Sequence, residues 1–507
     1  MVINFLYCID FPKKSDNVEK PDQIRGWLIC SNRIINIVIP ETLKDNYRLE
    51  YGSPRPDVAK FFRGFPGNDE CGYIISSNNE PFNLQQNFFL DVEVDIFRGK
   101  TKKLRIALDL SATSIQDIEV DDDEKNILAK TNKIEEKFVN SLKKHPWITV
   151  RMDITNKCNL HCIMCHYKEE EIYSKPAKNI TADQLKHQLK DIAPFVSNIM
   201  LSCGFEPLMS KHFPDIVTML NDNFPHIEID LCTNGMLLNS KARKVFIEKN
   251  ISHVILSFDG VTKQTLEKIR VGADYGKIIG NIMALRDLKL KYKRNLPTMF
   301  MDFVLMNSNI HEAPLFVQLC AALGIEIIDF RHLVGNIFFN EHEEMLSNNR
   351  EKYNYFRKLI IAESKKFNIK VRLPEPFDTA AIWTPENIPT VDLSDFNSVQ
   401  PDIQTEEIVN PIERIHHNGK ESDFPFLSEA SCLRPFNEIM IIDQEKILPC
   451  SYYSDAMGLL DENNTLYSIF FSERYQKVRR KKLLSRFDHN CLNCPIRLNL
   501  LPTDVVV

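Results

Sequence analysis

Cys158, Cys162 and Cys165 stand in the run CNLHCIMC, with three residues in the first gap and two in the second. Thiolates are soft metal ligands, and gathered cysteines in a reducing compartment usually mean metal. Three thiolates at these gaps can wrap one corner of a cubane 4Fe–4S cluster, leaving one of its four irons open to an outside ligand. The competing chemistry is a structural zinc knuckle, with His161 or His166 supplying the missing ligand. Cys432, Cys450, Cys491 and Cys494 form a second set, four thiolates that could close one cluster completely or hold a four-cysteine zinc ion. Cysteines 8, 30, 71, 203, 232 and 320 remain, and most read as small buried hydrophobes.

The bulk of the chain sets limits on this chemistry. It has 507 residues, of which 43% are hydrophobic and 26% charged, as in ordinary globular proteins of several domains. The formal charge of −6 offers no electrostatic basis for nucleic acid as a main partner. An odd total of 13 cysteines argues against a disulfide framework. No run of roughly 20 apolar residues predicts a membrane span. The opening MVINFLYCIDF has no basic stretch ahead of an apolar one, so the expected location is cytoplasmic. Arg479, Arg480, Lys481 and Lys482 follow Phe471 and Tyr475 and precede Leu483 and Leu484, which reads as an amphipathic helix with a solvated basic face.

The elements that must position the cysteines follow from patterning. Residues 1–112 carry short alternating runs such as IRGWLIC, RIINIVIP, CGYIISS and FFLDVEVDIF, which predict a β-sandwich module. Residues 113–145 hold an acidic stretch and a charged helical pattern, read as a linker helix. From Trp147 apolar strands alternate with helices: WITVRMDIT, NIMLSC, IEIDLCT, HVILSFD, TMFMDFVLM and IEIIDFRHL, with a seventh strand at Ile369–Leu373. Such repeats predict parallel strands with helical crossovers. The fold class is therefore α/β, with residues 146–377 as a partial β/α barrel. CNLHCIMC follows the first barrel strand and so opens at the C-terminal face, where barrel active sites are built. Residues 378–428 form an irregular connecting segment, and residues 429–498 a compact unit with four cysteines and the hairpin-like EIMIIDQEKILPC.

With this motif behind the first strand, the central region resembles the radical S-adenosylmethionine superfamily, over Trp147 to Phe377. Gly204-Phe205-Glu206-Pro207 is similar to the motif that holds the methionyl amino group in that superfamily. Thr233-Asn234-Gly235 is similar to its strand-ending turn. Ser257-Phe258-Asp259-Gly260 stands where the ribose and carboxylate are contacted, and Val304 to Asn307 where the adenine pocket is lined. The resemblance implies cofactor contacts from Met164, Gly204, Glu206, Pro207, Asn234, Ser257, Asp259 and Asn307. Two residues depart from the pattern: Met164 replaces an aromatic residue, and Phe205 replaces a second glycine. A polarisable thioether can still pack against an adenine edge.

The C-terminal unit resembles SPASM or twitch auxiliary-cluster domains over Ser431 to Pro495, which implies one auxiliary 4Fe–4S cluster with no open iron. The N-terminal module resembles those attached to surface-polysaccharide enzymes, on Gly26-Trp27, Arg55-Pro56-Asp57-Val58 and Cys71-Gly72-Tyr73. The resemblances together imply an enzyme that cleaves S-adenosylmethionine reductively and takes a hydrogen atom from a sugar or glycoconjugate. The alternatives are maturation of a ribosomal peptide and a non-catalytic iron–sulfur carrier or scaffold. The implied partners are a small-molecule, sugar or peptide substrate and a one-electron reductant such as flavodoxin or ferredoxin. Cys203 and Cys232, at strand ends, are hydrogen-donor candidates, with packing the competing reading.

Overall fold

A computed structural model of the chain describes residues 3–11, 23–30, 34–40, 43–55, 70–78, 82, 87–97, 100–109, 116–120, 124–165, 167, 169–333, 343–379, 383, 391–402, 404, 406–408, 418–428, 430–461, 463–483, 491, 494 and 503–505. His166, Pro56, Asp57 and Val58, named above, lie outside these residues.

Eight strands come first: β1 (Ile3–Phe11), β2 (Gln23–Cys30), β3 (Ile34–Val38), β4 (Tyr47–Ser53), β5 (Gly72–Ser77), β6 (Asn87–Phe97), β7 (Lys100–Asp109) and β8 (Gln116–Val120). They form one sheet in the order β4-β5-β2-β1-β8 and another in the order β3-β6-β7. Alternate residues of both sheets meet in one core, with Tyr7, Ile24, Leu28 and Ile75 from the first and Ile37, Leu90, Val92 and Ile106 from the second. Gly26 is fixed by crowding: a Cβ there would lie 2.1 Å from the Cys8 carbonyl oxygen and 2.7 Å from the Tyr73 hydroxyl.

Helix Glu124–Leu142 leads into the barrel strands β9 (Ile148–Met152), β10 (Val196–Met200), β11 (Glu228–Thr233), β12 (His253–Ser257), β13 (Thr298–Leu305), β14 (Ile327–His332) and β15 (Lys370–Leu373). All pair in parallel with their chain neighbours. Parallel neighbours need crossovers, and helices such as Phe213–Asn223, Ser240–Glu248, Tyr275–Lys291, Ala313–Leu323 and Arg350–Phe367 supply them. Along β13 the even-numbered residues are half-buried and the odd-numbered ones buried, Met299, Met301, Phe303 and Leu305 packing under the helices. The half-buried series, which includes Asp302 and Val304, faces the barrel lumen.

The C-terminal unit does not stand apart from the barrel. β16 (Glu438–Ile442) pairs in parallel with β9, β17 (Lys446–Leu448) and β18 (Gly458–Leu459) extend that edge, and β19 (Thr503–Val505) runs antiparallel to β15. A partial barrel leaves its two edge strands unpaired, and these C-terminal strands cover them. The basic run is also not a solvated face: Arg479 and Lys482, in helix Glu473–Leu483, are buried. Arg479 donates to Glu135 of the linker helix at 2.5 Å and lies over the rings of Phe470 and Tyr475. In the segment after Phe377, Asp402 and Gln404 accept from buried Arg243 on an outer helix, and Phe424 stacks on Trp147 with ring centroids 4.5 Å apart. These described residues of the segment lie against the outside of the barrel. Among the described residues no helix is long and apolar enough to cross a membrane.

Candidate functional site

A cavity of about 360 Å³ opens at the C-terminal ends of the barrel strands. Cys158, Cys162, Cys165 and Met164 line it from the loop after β9, Cys203, Gly204, Phe205 and Glu206 from the loop after β10. Cys232, Thr233 and Asn234 come from the end of β11, Ser257 from β12 and Val304 from β13. Parallel strands deliver their ends to one rim, so a cavity assembled from residues far apart in sequence is a direct result of the topology.

Buried carboxylates shape the loops. Asp153 Oδ1 accepts the backbone N–H groups of Cys203, Gly204 and Phe205 at 2.8, 3.0 and 3.1 Å. Burial raises its carboxyl above the ordinary range, and the three amides oppose that rise. Glu206 accepts from the Thr233 hydroxyl and the Asn234 backbone N–H, both at 2.8 Å, and from the Leu208 N–H at 3.1 Å. Burial pushes its carboxyl up to about 7 against these bonds. Asn234 Nδ2 donates to Asn159 Oδ1 at 2.9 Å and stands 4.0 Å from Cys158 Sγ. The cysteine loop is tied from the other side as well: the N–H groups of His161 and Ile163 donate to the carbonyls of Val271 and Ile269, each at 2.9 Å.

Arg270 is a site residue that no motif announced. Its guanidinium pairs with Asp259 at 2.7 Å, both side chains being buried, and its Nη1 stands 4.0 Å from Cys162 Sγ. Asp259 is therefore not a cavity wall; it sits behind Arg270 and accepts the Val304 N–H at 2.7 Å. Tyr167 is the second such residue. A Cβ on Gly204 would lie 2.0 Å from its ring, and the ring packs on Phe205 with centroids 4.4 Å apart. Phe205 thus turns toward Tyr167, which accounts for a bulky residue where the resemblance expects glycine.

Other expected contacts fall elsewhere. Asn307 donates through Nδ2 to the Glu343 carbonyl and accepts from Asn349, and it is not among the cavity-lining residues; nor is Pro207. The Cys232 thiol lies 3.2 Å from the Ser257 hydroxyl at the cavity wall. Cys203 is held near Arg151 and Asp153, and burial pushes its thiol well up.

The three loop cysteines could hold a cluster, since soft thiols share one cavity and have amide and guanidinium nitrogens beside two of their sulfurs. Burial pushes the Cys158 thiol up to about 12 and raises Cys162, although Arg270 opposes the latter. Metal loading must therefore displace protons. In the second set, Cys432 senses the charges of Lys482 and Cys494, and Cys450 that of Cys432. Lys482 Nζ lies 2.9 Å from Cys491 Sγ, which brings the basic run to this set. Among the described residues no three His, Cys, Asp or Glu side chains are grouped as for a single metal ion.

Comparison with known proteins matches residues 152–304 to the Radical SAM superfamily. A probable GTP 3′,8-cyclase of Methanocaldococcus jannaschii is 29% identical over 185 residues, which is 36% of this chain and 58% of that relative's length. A protein of the same name from Saccharolobus solfataricus is 26% identical over 240 residues, 45% of this chain and 72% of the relative. Among solved structures, Streptococcus suis SuiB bound to S-adenosylmethionine aligns with a TM-score of 0.48 at 12% identity, covering 73% of this chain and 77% of that one.

Proposed function

We propose that the chain acts as a radical S-adenosylmethionine enzyme through its central domain, taking a hydrogen atom from a sugar or glycoconjugate substrate. The observation that carries this reading is the convergence of Cys158, Cys162 and Cys165 with Glu206, Asn234, Ser257 and Arg270 on one cavity. When bound there, a 4Fe–4S cluster and S-adenosylmethionine supply the electron and the 5′-deoxyadenosyl radical that such chemistry needs.

The chain's own residues orient and insulate. The three cysteines anchor the cluster, and Arg270 sets positive charge beside Cys162. Gly204, Glu206 and Asn234 shape the loop for the methionyl end, with Asp153 holding that loop from below. Ser257, Val304 and Met164 line the nucleoside end. Cys232, beside Ser257, and Cys203 are the thiols placed to return a hydrogen atom if the product requires one. Cys432, Cys450, Cys491 and Cys494 hold an auxiliary cluster, and a flavodoxin- or ferredoxin-type reductant supplies electrons. The relatives named GTP 3′,8-cyclases support a small-molecule substrate over a peptide.

Anaerobic reconstitution tests this. The expected result is about eight irons per chain, from two cubanes, and 5′-deoxyadenosine on reduction. Cys162→Ala should abolish 5′-deoxyadenosine. Cys450→Ala should lower iron to about four and stop substrate turnover while sparing much of the cofactor cleavage. Zinc in place of iron, or no cofactor cleavage by the iron-loaded protein, refutes the reading.

A further inference from the structure

The lumen wall beside the cavity carries charges that cofactor binding leaves unused. Strand register aligns Ser257 with Asp302, Asp302 with Asp329, and Asp329 with Arg372. Residues in register on adjacent strands share a face, so these four form one row across the lumen side of β12 to β15. The row starts at the cofactor wall, because Ser257 lines the cavity; so does Val304, the register partner of Arg331.

Two carboxylates directly opposite each other on neighbouring strands repel. Arg331 Nη2 sits between them, 3.0 Å from Asp329 Oδ2 and 3.5 Å from Asp302 Oδ2, and Arg372 Nη1 stands 3.5 Å from Asp329 Oδ2. The two acids and two guanidiniums cancel in formal charge. A quartet built only to brace the sheet would use the guanidinium fork on both carboxylate oxygens. Here one nitrogen serves both acids, while Asp302 Oδ1, Asp329 Oδ1 and Arg331 Nε are buried without a partner. Leaving such atoms unpaired in a buried setting is unfavourable. The Arg331 side chain as a whole is 43% exposed.

We propose that Asp302, Asp329 and Arg331 form the substrate-binding subsite, and that it takes an uncharged, hydroxyl-bearing sugar ring through neighbouring hydroxyl groups. The Asp302 side chain is 16% exposed and the Arg331 side chain 43%, so both are within reach of a ligand, and a hydroxyl both donates and accepts. The cancelled charge disfavours a carboxylate, phosphate or ammonium group at this point. The inference deepens the function proposed above and rests on it, since the radical must form within reach of the bound ring.

The reconstituted full-length enzyme is supplied in turn with UDP-glucose, UDP-galactose, UDP-N-acetylglucosamine and GDP-mannose, each deuterated on the sugar-ring carbons. The deuterated fraction of the 5′-deoxyadenosine is read by mass spectrometry. At least one sugar should transfer deuterium. Asp302→Asn and Arg331→Gln should each lower the deuterated fraction about tenfold, as loss of a charge-assisted hydrogen bond predicts, and Asp302→Glu should restore part of it. With the unaltered protein, a deoxy analogue of the accepted sugar lacking one hydroxyl should raise KM about tenfold, which keeps the test valid if a variant fails to fold. Cofactor cleavage without deuterium from any sugar, or an unchanged fraction in both variants, overturns the subsite. Absence of cofactor cleavage itself would instead remove the function on which it rests.

Discussion

Arg270 and Asp259 meet at 2.7 Å inside the barrel, and the same guanidinium stands 4.0 Å from Cys162 Sγ. The pair puts a fixed positive charge at the cysteine loop, held by an acid that never faces the cavity. Nearby charge tunes cluster potentials. Arg270→Gln should therefore shift the potential of the cluster proposed at Cys158, Cys162 and Cys165 negative, read by anaerobic redox titration with EPR. Asp259→Asn leaves the arginine buried and unpaired and should destabilise the fold by about 3–5 kcal/mol in denaturant melts.

Glu206 gives the site a pH signature. Its carboxyl is raised from 4.5 to about 7 in the fold by burial. A raised carboxyl pKa means that its contribution is complete below the unfolded value and is lost as pH climbs through the folded one. Thermal stability should fall between about pH 4.5 and 7 by an amount on the order of 3 kcal/mol from this group. Glu206→Gln should remove that slope, while weakening the Asn234 turn by about 1–3 kcal/mol at every pH. Melting curves across this range, compared between the two proteins, check both parts.

Gly204 and Tyr167 are locked by contact, a Cβ on the glycine falling 2.0 Å from the ring. Gly204→Ala should lower stability by about 1–3 kcal/mol through overpacking and expel the ring from its place. Tyr167→Ala in the same chain should recover most of that loss. A double-mutant cycle in urea measures the coupling, and additive effects would refute the steric account.

Arg479 and Glu135 are separated by 344 residues yet join at 2.5 Å, with the arginine buried. Arg479→Met should strand the buried carboxylate and cost about 3–5 kcal/mol. Glu135→Gln added to Arg479→Met should regain part of it. Differential scanning calorimetry should show the C-terminal helix and the linker helix losing stability together.

Residue spacing alone exposed the parts of this protein that are local. The gaps among Cys158, Cys162 and Cys165, and the alternation of apolar runs with helical periods from Trp147 on, depend on neighbours a few positions apart. Glu206, Asn234 and Ser257 are singled out by the resemblance of their short motifs, at predicted strand ends, to those of the radical S-adenosylmethionine superfamily. Arg270 lies 108 residues from Cys162, and Tyr167 meets Gly204 only because β9 and β10 pair. The meeting of Asp302, Asp329 and Arg331 depends on the register of two parallel strands, which no residue within either strand specifies. For the same reason the basic run looked solvated: a helix period reports which residues share a face, whereas burial of Arg479 needed Glu135, Phe470 and Tyr475 to arrive from other elements. Local pattern decided the elements and the grouping of the cysteines; folding decided which distant charges and rings surround them, because those energies exist only once the chain has closed on itself.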